Sequence, residues 1–188
     1  MRDKIKDIFL ENIHIKEELL RNNIKQIIEI ADLAIDSLKK GGKVLLFGNG
    51  GSASDSQHIA AELVGRFKKD RTALAAIALT TNTSVLTSLA NDYGYEVVFA
   101  KQVEALGKKG DIAIGISTSG KAKNVIAGIK QAAKMGLKTV AFTGGDGGEL
   151  SKVADVALII PSSVTARIQE AHITVGHIVC ELIEGALC

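Results

Sequence analysis

The sequence is 188 residues long, with 46% hydrophobic and 23% charged residues, which is typical of a single globular domain. Its net charge of +2 and its few aromatic residues exclude a broad basic surface for nucleic acid or for an anionic membrane. No apolar run approaches the roughly 18 residues of a membrane span, and the charged start MRDKIK is not that of a secretory signal. Because Cys180 and Cys188 are too few for a disulfide framework, we expect a cytoplasmic protein with reduced thiols.

The first 40 residues predict a helical arm. Apolar side chains recur there at three- and four-residue spacing, as on one face of an α-helix. Arg21-Asn22-Asn23 interrupts the pattern and predicts two consecutive helices, and Gly41-Gly42 ends the second helix. Ile15, Leu19 and Ile30 lie outside the main apolar stripe, so we expect them to face a second covering surface.

Five short apolar runs follow, and each ends in glycine or small polar residues. They are KVLLF, ALAAIAL, DIAIGIS, KTVAFTG and DVALIIP. Continuous apolar runs are typical of strands covered on both faces, and hence of a parallel sheet. Helical patterns lie between or after them, at 52–67, 83–90, 97–106, 121–135 and 165–187. This alternation predicts a doubly wound α/β fold with a five-stranded parallel sheet, in one domain of residues 1–188 with an arm at 1–40 and a core at 43–188.

The last predicted helix, residues 165–187, is apolar nearly all round. One stripe consists of Ile168, Ala171, Val175, Ile178, Val179 and Leu182. The opposite side, which includes Ile173, Gly176 and Cys180, is hardly polar. A helix of this kind is buried on more than one side. Because the chain is short, we expect a second subunit to supply the other cover, so the sequence predicts a homo-oligomer.

The segment LLFGNGGSAS carries a glycine turn between a strand and a helix. Gly48, Gly50 and Ala53 satisfy the letters of the dinucleotide fingerprint G-x-G-x-x-G/A. The next strand ends in Thr80-Thr81 and not in the required acidic residue, and no Walker-type loop is present, so we expect no nucleotide cofactor. The turn either binds an oxyanion or sugar hydroxyls through its N–H groups and Ser52, or is a tight turn without a ligand.

The segment GISTSG, residues 115–120, predicts a phosphate cup. Ser117, Thr118 and Ser119 follow a strand and precede a helix, and three hydroxyls exceed what helix capping needs. Both this loop and the glycine turn leave the carboxyl ends of parallel strands, where doubly wound folds bind ligands. A third such loop, TGGDGG, is explained as a turn with Asp146 as a helix N-cap.

Four polar side chains on two predicted helices are of the types that bind metals or transfer protons. His58 and Glu62 are four residues apart and share one face of the helix that follows the glycine turn. Gln169 and His177 lie about 80° apart on the second face of the last helix. Together they would hold a divalent metal such as zinc, or supply a base and an acid to a bound sugar phosphate. Taken alone, the His58–Glu62 pair is more typical of a surface interaction, and Gln169 and His177 of satisfied polar groups at an interface, and spacing does not show that the two helices meet.

At these residues the sequence resembles the bacterial phosphoheptose isomerases of the sugar isomerase (SIS) domain superfamily. The matching segments are GNGGSAS, QHIAAELVGRF, LANDYG, GISTSG, TGGDGG and RIQEAHITVGHI, in family order over essentially the whole chain. The resemblance implies a flavodoxin-like sheet, a homotetramer, and interconversion of sedoheptulose 7-phosphate with D-glycero-D-manno-heptose 7-phosphate. It also implies a place in heptose synthesis for lipopolysaccharide or related surface glycans.

The resemblance further implies roles for individual residues. Glu62 matches the base that moves a proton between C1 and C2 through an enediol, and His177 matches the partner acid–base. The positions that match the zinc ligands of metal-bearing members are His58, Glu62, Gln169 and His177. The positions implied to bind substrate are Asn49, Gly50, Gly51, Ser52, Glu62, Asn91, Asp92, Ser117, Thr118, Ser119 and Gln169. Whether zinc is catalytic or structural stays open, because Glu62 cannot freely serve as strong ligand and base at once.

Two departures from the family pattern concern the same site. Ala122 stands where some members have a further serine, which removes one phosphate hydroxyl, and Ala166 stands where some have an aspartate. Two other hypotheses stay open. One is a non-catalytic SIS tetramer that binds a replication initiator, against which the presence of Glu62 and His177 speaks. The other is an isomerase or sensor for another sugar phosphate, which the GISTSG segment does not distinguish.

Overall fold

The computed structural model describes residues 1–188 as eight helices and five strands. The helices are α1 (Arg2–Asn22), α2 (Ile24–Lys39), α3 (Gly51–Val64), α4 (Thr83–Tyr93), α5 (Val98–Leu106), α6 (Lys123–Lys134), α7 (Leu150–Val153) and α8 (Thr165–Leu187). The strands are β1 (Val44–Gly48), β2 (Ala76–Ala78), β3 (Ile112–Ile116), β4 (Lys138–Gly144) and β5 (Val156–Ile160). The predicted break at Arg21-Asn22-Asn23 is confirmed, since Asn23 alone separates α1 from α2. No helix is both long enough and apolar enough to cross a membrane.

The five strands form one parallel sheet in the order β2-β1-β3-β4-β5. This is the flavodoxin-like order, and the predicted α/β fold is confirmed. The neighbouring interior strands β1 and β3 are buried along their whole length, as continuous apolar runs require. Alternate residues of β1 enter different cores: Leu46 packs on the side of α2, α3 and α8, and Leu45 on the side of α5 and α6.

The helical arm packs in a different orientation from the predicted one. Ile15, Leu19 and Ile30 are buried within the chain, against α8 and the sheet, so the prediction that a second cover is needed for them was wrong. The main apolar stripe is instead largely exposed on α1, whereas on α2 its members Ile27, Ala31 and Ala34 are buried. Its exposed members are Ile5, Ile8, Phe9, Ile13, Leu20, Ile24 and Ile28. Periodicity identifies the apolar faces of a helix but not which face the rest of the chain covers.

An apolar groove lies between this arm and α8. The chain buries Ile168, Val175 and Val179 of the predicted α8 stripe, whereas Ile178 and Leu182 each remain 41% exposed. These two side chains line the groove, a cavity of about 380 Å³, together with residues of α1 and α2. The chain therefore leaves one side of α8 uncovered.

The loop after β4 differs from its predicted form. Asp146 accepts a hydrogen bond from the N–H of Gly148 across a turn, and Glu149 is the residue that precedes α7. The prediction that Asp146 caps a helix was wrong. Three residues separate Asp146 from α7, so its side chain closes the glycine-rich turn itself.

Candidate active site

The candidate site lies where α3 and α8 approach each other beyond the carboxyl ends of β1 and β3. The absence of a Cβ allows this approach at two glycines. A Cβ on Gly176 of α8 would lie 2.8 Å from Cδ1 of Ile59 on α3, and one on Gly51 would lie 2.8 Å from Cδ of Gln169. The two helices are therefore in contact both at the start of α3 and beside His58.

This contact brings His58, Glu62 and His177 together. The Nε2 atoms of the two histidines are 3.2 Å apart, and His58 Nε2 lies 3.1 Å from Oε1 of Glu62. One ligand atom from each of the three residues lies within 4.8 Å of the others. The His177 ring also packs against the ring of Phe67, with the centroids 5.7 Å apart. The sequence could not show that these helices meet, and the structure shows that they do.

These three residues fit a divalent metal. Two imidazole nitrogens and a carboxylate oxygen are the donor set that zinc prefers, and tetrahedral ligands about 2.0–2.1 Å from the ion lie roughly 3.3 Å apart. The separations of 3.1 and 3.2 Å match that spacing. Without a cation, the two contacts cannot both be hydrogen bonds, because both involve His58 Nε2 and a ring nitrogen either donates or accepts. Gln169 lies two turns before His177 on the wall of the adjacent cavity, and its role as a fourth ligand stays a prediction.

The adjacent cavity lies between the two loops that were predicted to bind a ligand, the glycine turn after β1 and the GISTSG segment after β3. It encloses about 350 Å³ beyond the ends of β1 and β3. Its lining consists of Asn49, Gly50, Gly51, Ser52, Ile116, Ser117, Thr118, Ser119, Ala122, Thr165 and Gln169. No side chain that is charged at neutral pH lines it, so an anion bound there would be held by hydroxyls, amides and N–H groups at the starts of α3 and α6.

A buried amide pair fixes Asn49 at the rim of this cavity. Asn49 Nδ2 donates to Oδ1 of Asn124, and Asn124 Nδ2 donates to Oδ1 of Asn49, both at 2.9 Å. The Tyr95 hydroxyl donates to the same Asn49 oxygen at 3.2 Å, and Asn124 is 4% exposed. Asn49 therefore presents a defined orientation of its amide. Sequence analysis missed Asn124 and Tyr95, because neither lies in a loop that follows a strand.

Some predicted residues lie outside the cavity. Asn91 and Asp92 are exposed on α4, where the Asn91 amide donates to the Asp92 carboxylate at 2.8 Å, and their contact with substrate stays a prediction. Lys121 does not replace the hydroxyl lost at Ala122. Its Nζ lies 4.0 Å from Oδ2 of Asp146, and its side chain lines a smaller cavity on the other side of Thr118 and Ser119.

Asp55 is a further acidic residue that the sequence analysis missed. It lies one turn before His58 on α3, and its Oδ2 is buried without a hydrogen-bond partner. Burial raises the pKa of the Asp55 carboxyl, and the nearby His58 opposes that rise. The spacing of Asp55, His58 and Glu62 at three and four residues would have placed all three on one helix face.

Known proteins resemble this chain in sequence and in fold. Residues 9–144 match the SIS domain family. The chain is 55% identical over 188 residues to a phosphoheptose isomerase of Aquifex aeolicus, covering 100% of this chain and 98% of that protein. It is 54% identical over 187 residues to a phosphoheptose isomerase of Thermodesulfovibrio yellowstonii, covering 100% of this chain and 93% of that protein.

Solved structures agree with the sequence relatives. The structure of a phosphoheptose isomerase from Neisseria gonorrhoeae superposes with a TM-score of 0.93 at 43% identity, covering 98% of each chain. A phosphoheptose isomerase from Francisella tularensis gives a TM-score of 0.94 at 38% identity, covering 97% of each chain. Together with the cavity and the His–Glu–His cluster, these similarities show that the chain belongs to the phosphoheptose isomerase family of SIS domain proteins.

Proposed function

We propose that this protein interconverts sedoheptulose 7-phosphate and D-glycero-D-manno-heptose 7-phosphate, and that residues 1–188 act as one SIS domain. Relatives at 54–55% identity over the whole chain are phosphoheptose isomerases. The observation that supports this activity best is the convergence of Glu62 and His177 next to a cavity lined by neutral hydroxyls and amides. Aldose–ketose isomerisation needs a base near the carbons and an acid near the oxygens, without a redox cofactor.

The proposed reaction begins with the phosphate in the cup of Ser117, Thr118 and Ser119. The hydroxyls and the N–H groups at the start of α6 bind the phosphate oxygens and fix one end of the substrate. Ser52 and the backbone of Gly50 and Gly51 then lie beside the sugar chain. Asn49, whose amide is fixed by Asn124, is placed to donate a hydrogen bond to a sugar oxygen.

Glu62 is the proposed base of the proton transfer. Its Oε1 faces His58, and its Oε2 makes no hydrogen bond within the chain, so one carboxylate oxygen remains free. Glu62 removes the proton from C1 of the ketose and returns it to C2 of the enediol. His177 donates a proton to the O2 carbonyl oxygen and accepts the proton from the O1 hydroxyl, so that no net proton is gained or lost.

We propose His58, Glu62, His177 and Gln169 as the residues that hold a divalent metal, and zinc as that metal. The match of the donor types and of the 3.1 and 3.2 Å separations to tetrahedral coordination supports this assignment. When bound, the ion would take the place of the proton that His177 donates in the metal-free site, and it would supply Lewis-acid stabilisation of negative charge on the substrate oxygens.

We further propose that the protein is a homo-oligomer, in the form of a homotetramer. The groove between α1, α2 and α8 exposes apolar side chains that a second copy of the chain would cover. Among them, Leu20 is 67% exposed, Ile28 is 49% exposed and Leu182 is 41% exposed. A contiguous apolar surface of this kind is typical of a protein–protein interface.

The activity is tested by incubating the protein with sedoheptulose 7-phosphate and following the aldose product. A panel of pentose and hexose phosphates, measured under the same conditions, distinguishes a heptose isomerase from an enzyme for another sugar phosphate. We expect the heptose to have the highest kcat/KM. The absence of product at high enzyme concentration would contradict the proposal.

A further inference from the structure

A buried ion pair joins the segment after α3 to the end of α8. Arg71 Nε lies 3.1 Å from Oε1 of Glu184, and the two side chains are 4% and 3% exposed. Arg71 lies between α3 and β2, and Glu184 lies in the last turn of α8. The pair therefore connects the two helices that carry Glu62 and His177.

Arg71 caps the end of α3. Its Nη2 donates to the carbonyl oxygen of Glu62 at 2.8 Å, and its Nη1 donates to the carbonyl oxygens of Leu63 and Gly65, also at 2.8 Å. The last carbonyls of a helix have no partner within the helix, and a cation there interacts favourably with the helix dipole. One of the carbonyls bound by Arg71 is thus that of the proposed base itself.

Glu184 binds the backbone of the segment that follows α3. Its carboxylate accepts hydrogen bonds from the N–H groups of Phe67, Lys68 and Lys69 at 3.3, 2.9 and 3.1 Å. Burial favours a raised pKa for Glu184, but these hydrogen bonds and Arg71 outweigh it and lower the pKa, so the group is a carboxylate at neutral pH. Phe67, which is held in this way, packs its ring on His177.

Glu184 and His177 also lie on the same side of α8. They are seven residues apart, which is close to two full turns, so their side chains differ by only about 20° around the helix axis. Every hydrogen bond of the two side chains is made to the end of α3, to the segment that follows it, or within the ion pair itself.

We propose that Arg71 and Glu184 are positioning residues, which set the spacing of Glu62 and His177 for proton transfer. This inference rests on the proposed isomerase function. A buried ion pair is seldom the most stabilising solution at its position, because desolvation offsets its attraction. A pair that fixes geometry contributes to the reaction rate instead of to stability, since a displacement of about 1 Å at a reacting group lowers a rate by roughly a hundredfold.

The chain contains a matched control for this pair. Lys43 Nζ lies 2.6 Å from Oδ2 of Asp111, and the two side chains are 19% and 3% exposed. Asp111 also accepts hydrogen bonds from the N–H groups of Lys43 and Lys108. This second pair lies at the amino ends of β1 and β3, at the opposite edge of the sheet from the candidate site.

The test compares Glu184→Gln with Asp111→Asn in the full-length protein. We expect both substitutions to lower the melting temperature. Glu184→Gln should also lower kcat for sedoheptulose 7-phosphate by about tenfold or more, with KM changed less than about threefold, because the base moves while the phosphate cup does not. Asp111→Asn should leave kcat and KM within about twofold of wild type. Wild-type kcat in folded Glu184→Gln, or an equal loss of kcat in Asp111→Asn, would overturn the proposal.

Two further measurements keep the test decisive. If Glu184→Gln does not fold, Arg71→Lys takes its place in the comparison, with the same expected and contradicting results. Lysine keeps the charge but cannot bind the carbonyls of Glu62, Leu63 and Gly65 together. If the wild type has no isomerase activity, the proposed function fails, and the crystal structure of the variant tests the positioning alone. We expect the 3.2 Å separation of the histidine Nε2 atoms to widen by about 1 Å. An unchanged separation would overturn the inference.

Discussion

His58 and His177 face each other with their Nε2 atoms 3.2 Å apart, although 119 residues separate them in the sequence. Two neutral imidazoles in this arrangement share at most one proton along the line between them. The carboxylate of Glu62 lies beside the pair, with Oε1 3.1 Å from Nε2 of His58. The packing of α3 on α8 therefore creates a cluster of electron-pair donors that favours a cation.

Substitution of one of these histidines should weaken metal binding. We expect protein dialysed against a chelator to bind about one zinc ion per chain, and His58→Gln to bind it at least about a hundredfold more weakly, because a ligand is lost. The matched control is His14→Gln, since His14 is exposed on α1. Isothermal titration calorimetry measures both affinities. Equal zinc affinity in the two variants would contradict the assigned site.

Restoring a hydroxyl at position 122 should improve phosphate binding. Ala122 lines the cavity and is the N-cap of α6, where no side chain caps the helix. Ala122→Ser adds a cap worth about 1 kcal/mol and one further hydrogen bond to phosphate. We expect the melting temperature without substrate to rise by about 2–4 °C and KM to fall by about 2–10-fold.

These two effects of Ala122→Ser are separable. The melting temperature reports the cap, and KM reports the contact with the phosphate. A higher melting temperature with an unchanged KM would show that position 122 does not face the phosphate.

Acid should destabilise the protein through His172. Burial lowers the pKa of this side chain to about 4, although its hydrogen bond to the Thr143 carbonyl opposes the shift. In the unfolded chain the pKa of His172 is near 6.5, so as the pH falls the unfolded state binds a proton before the folded state does. The stability that comes from keeping this imidazole neutral is therefore fully present above about pH 6.5 and is lost as the pH falls toward 4.

The effect of His172 is measured by urea unfolding at pH 7 and pH 5. Between these values the wild type should lose about 2 kcal/mol more of its free energy of unfolding than His172→Gln does. His14→Gln serves again as the control and should follow the wild type. Parallel losses in the wild type and His172→Gln would contradict a buried neutral imidazole.

A charge in the apolar groove should dissociate the proposed oligomer. Leu20 is 67% exposed on α1 and lines the groove, and Leu106, 41% exposed on α5, lies on the other side of the sheet. We expect Leu20→Lys to sediment as a smaller species than the wild type, since an unpaired buried charge is strongly unfavourable. Leu106→Lys should sediment like the wild type. If Leu20→Lys keeps the size of the wild type, the groove is not the interface.

Most of the sheet could be predicted from the sequence, because four of the five strands form within continuous apolar runs of the expected length. The exception is β2, which the run ALAAIAL predicted as seven residues and which spans only Ala76–Ala78. It is one of two edge strands, and it pairs with β1 at three positions, whereas the other edge strand, β5, pairs with β4 at five. Local pattern does not show which strand lies at an edge, and so does not show where pairing stops.

The two loops of the site could be predicted for a similar reason, since parallel strands present their carboxyl ends at one edge of a sheet. The approach of His58 to His177 could not. It depends on the packing of Ile59 against Gly176, a contact between distant segments that leaves no local pattern. Arg71 and Glu184 were missed because a buried charged pair has the same sequence signature as two solvated side chains.

The most direct test of the account concerns the carboxylate of Glu62. Glu62→Gln keeps the size of the side chain but removes the base, so kcat for sedoheptulose 7-phosphate should fall by about 10²–10⁴-fold. The control is Glu104→Gln, an exposed glutamate on α5 paired with Lys101, which should retain wild-type turnover. A folded Glu62→Gln protein that isomerises sedoheptulose 7-phosphate at the wild-type rate would contradict the assignment of Glu62 as the base.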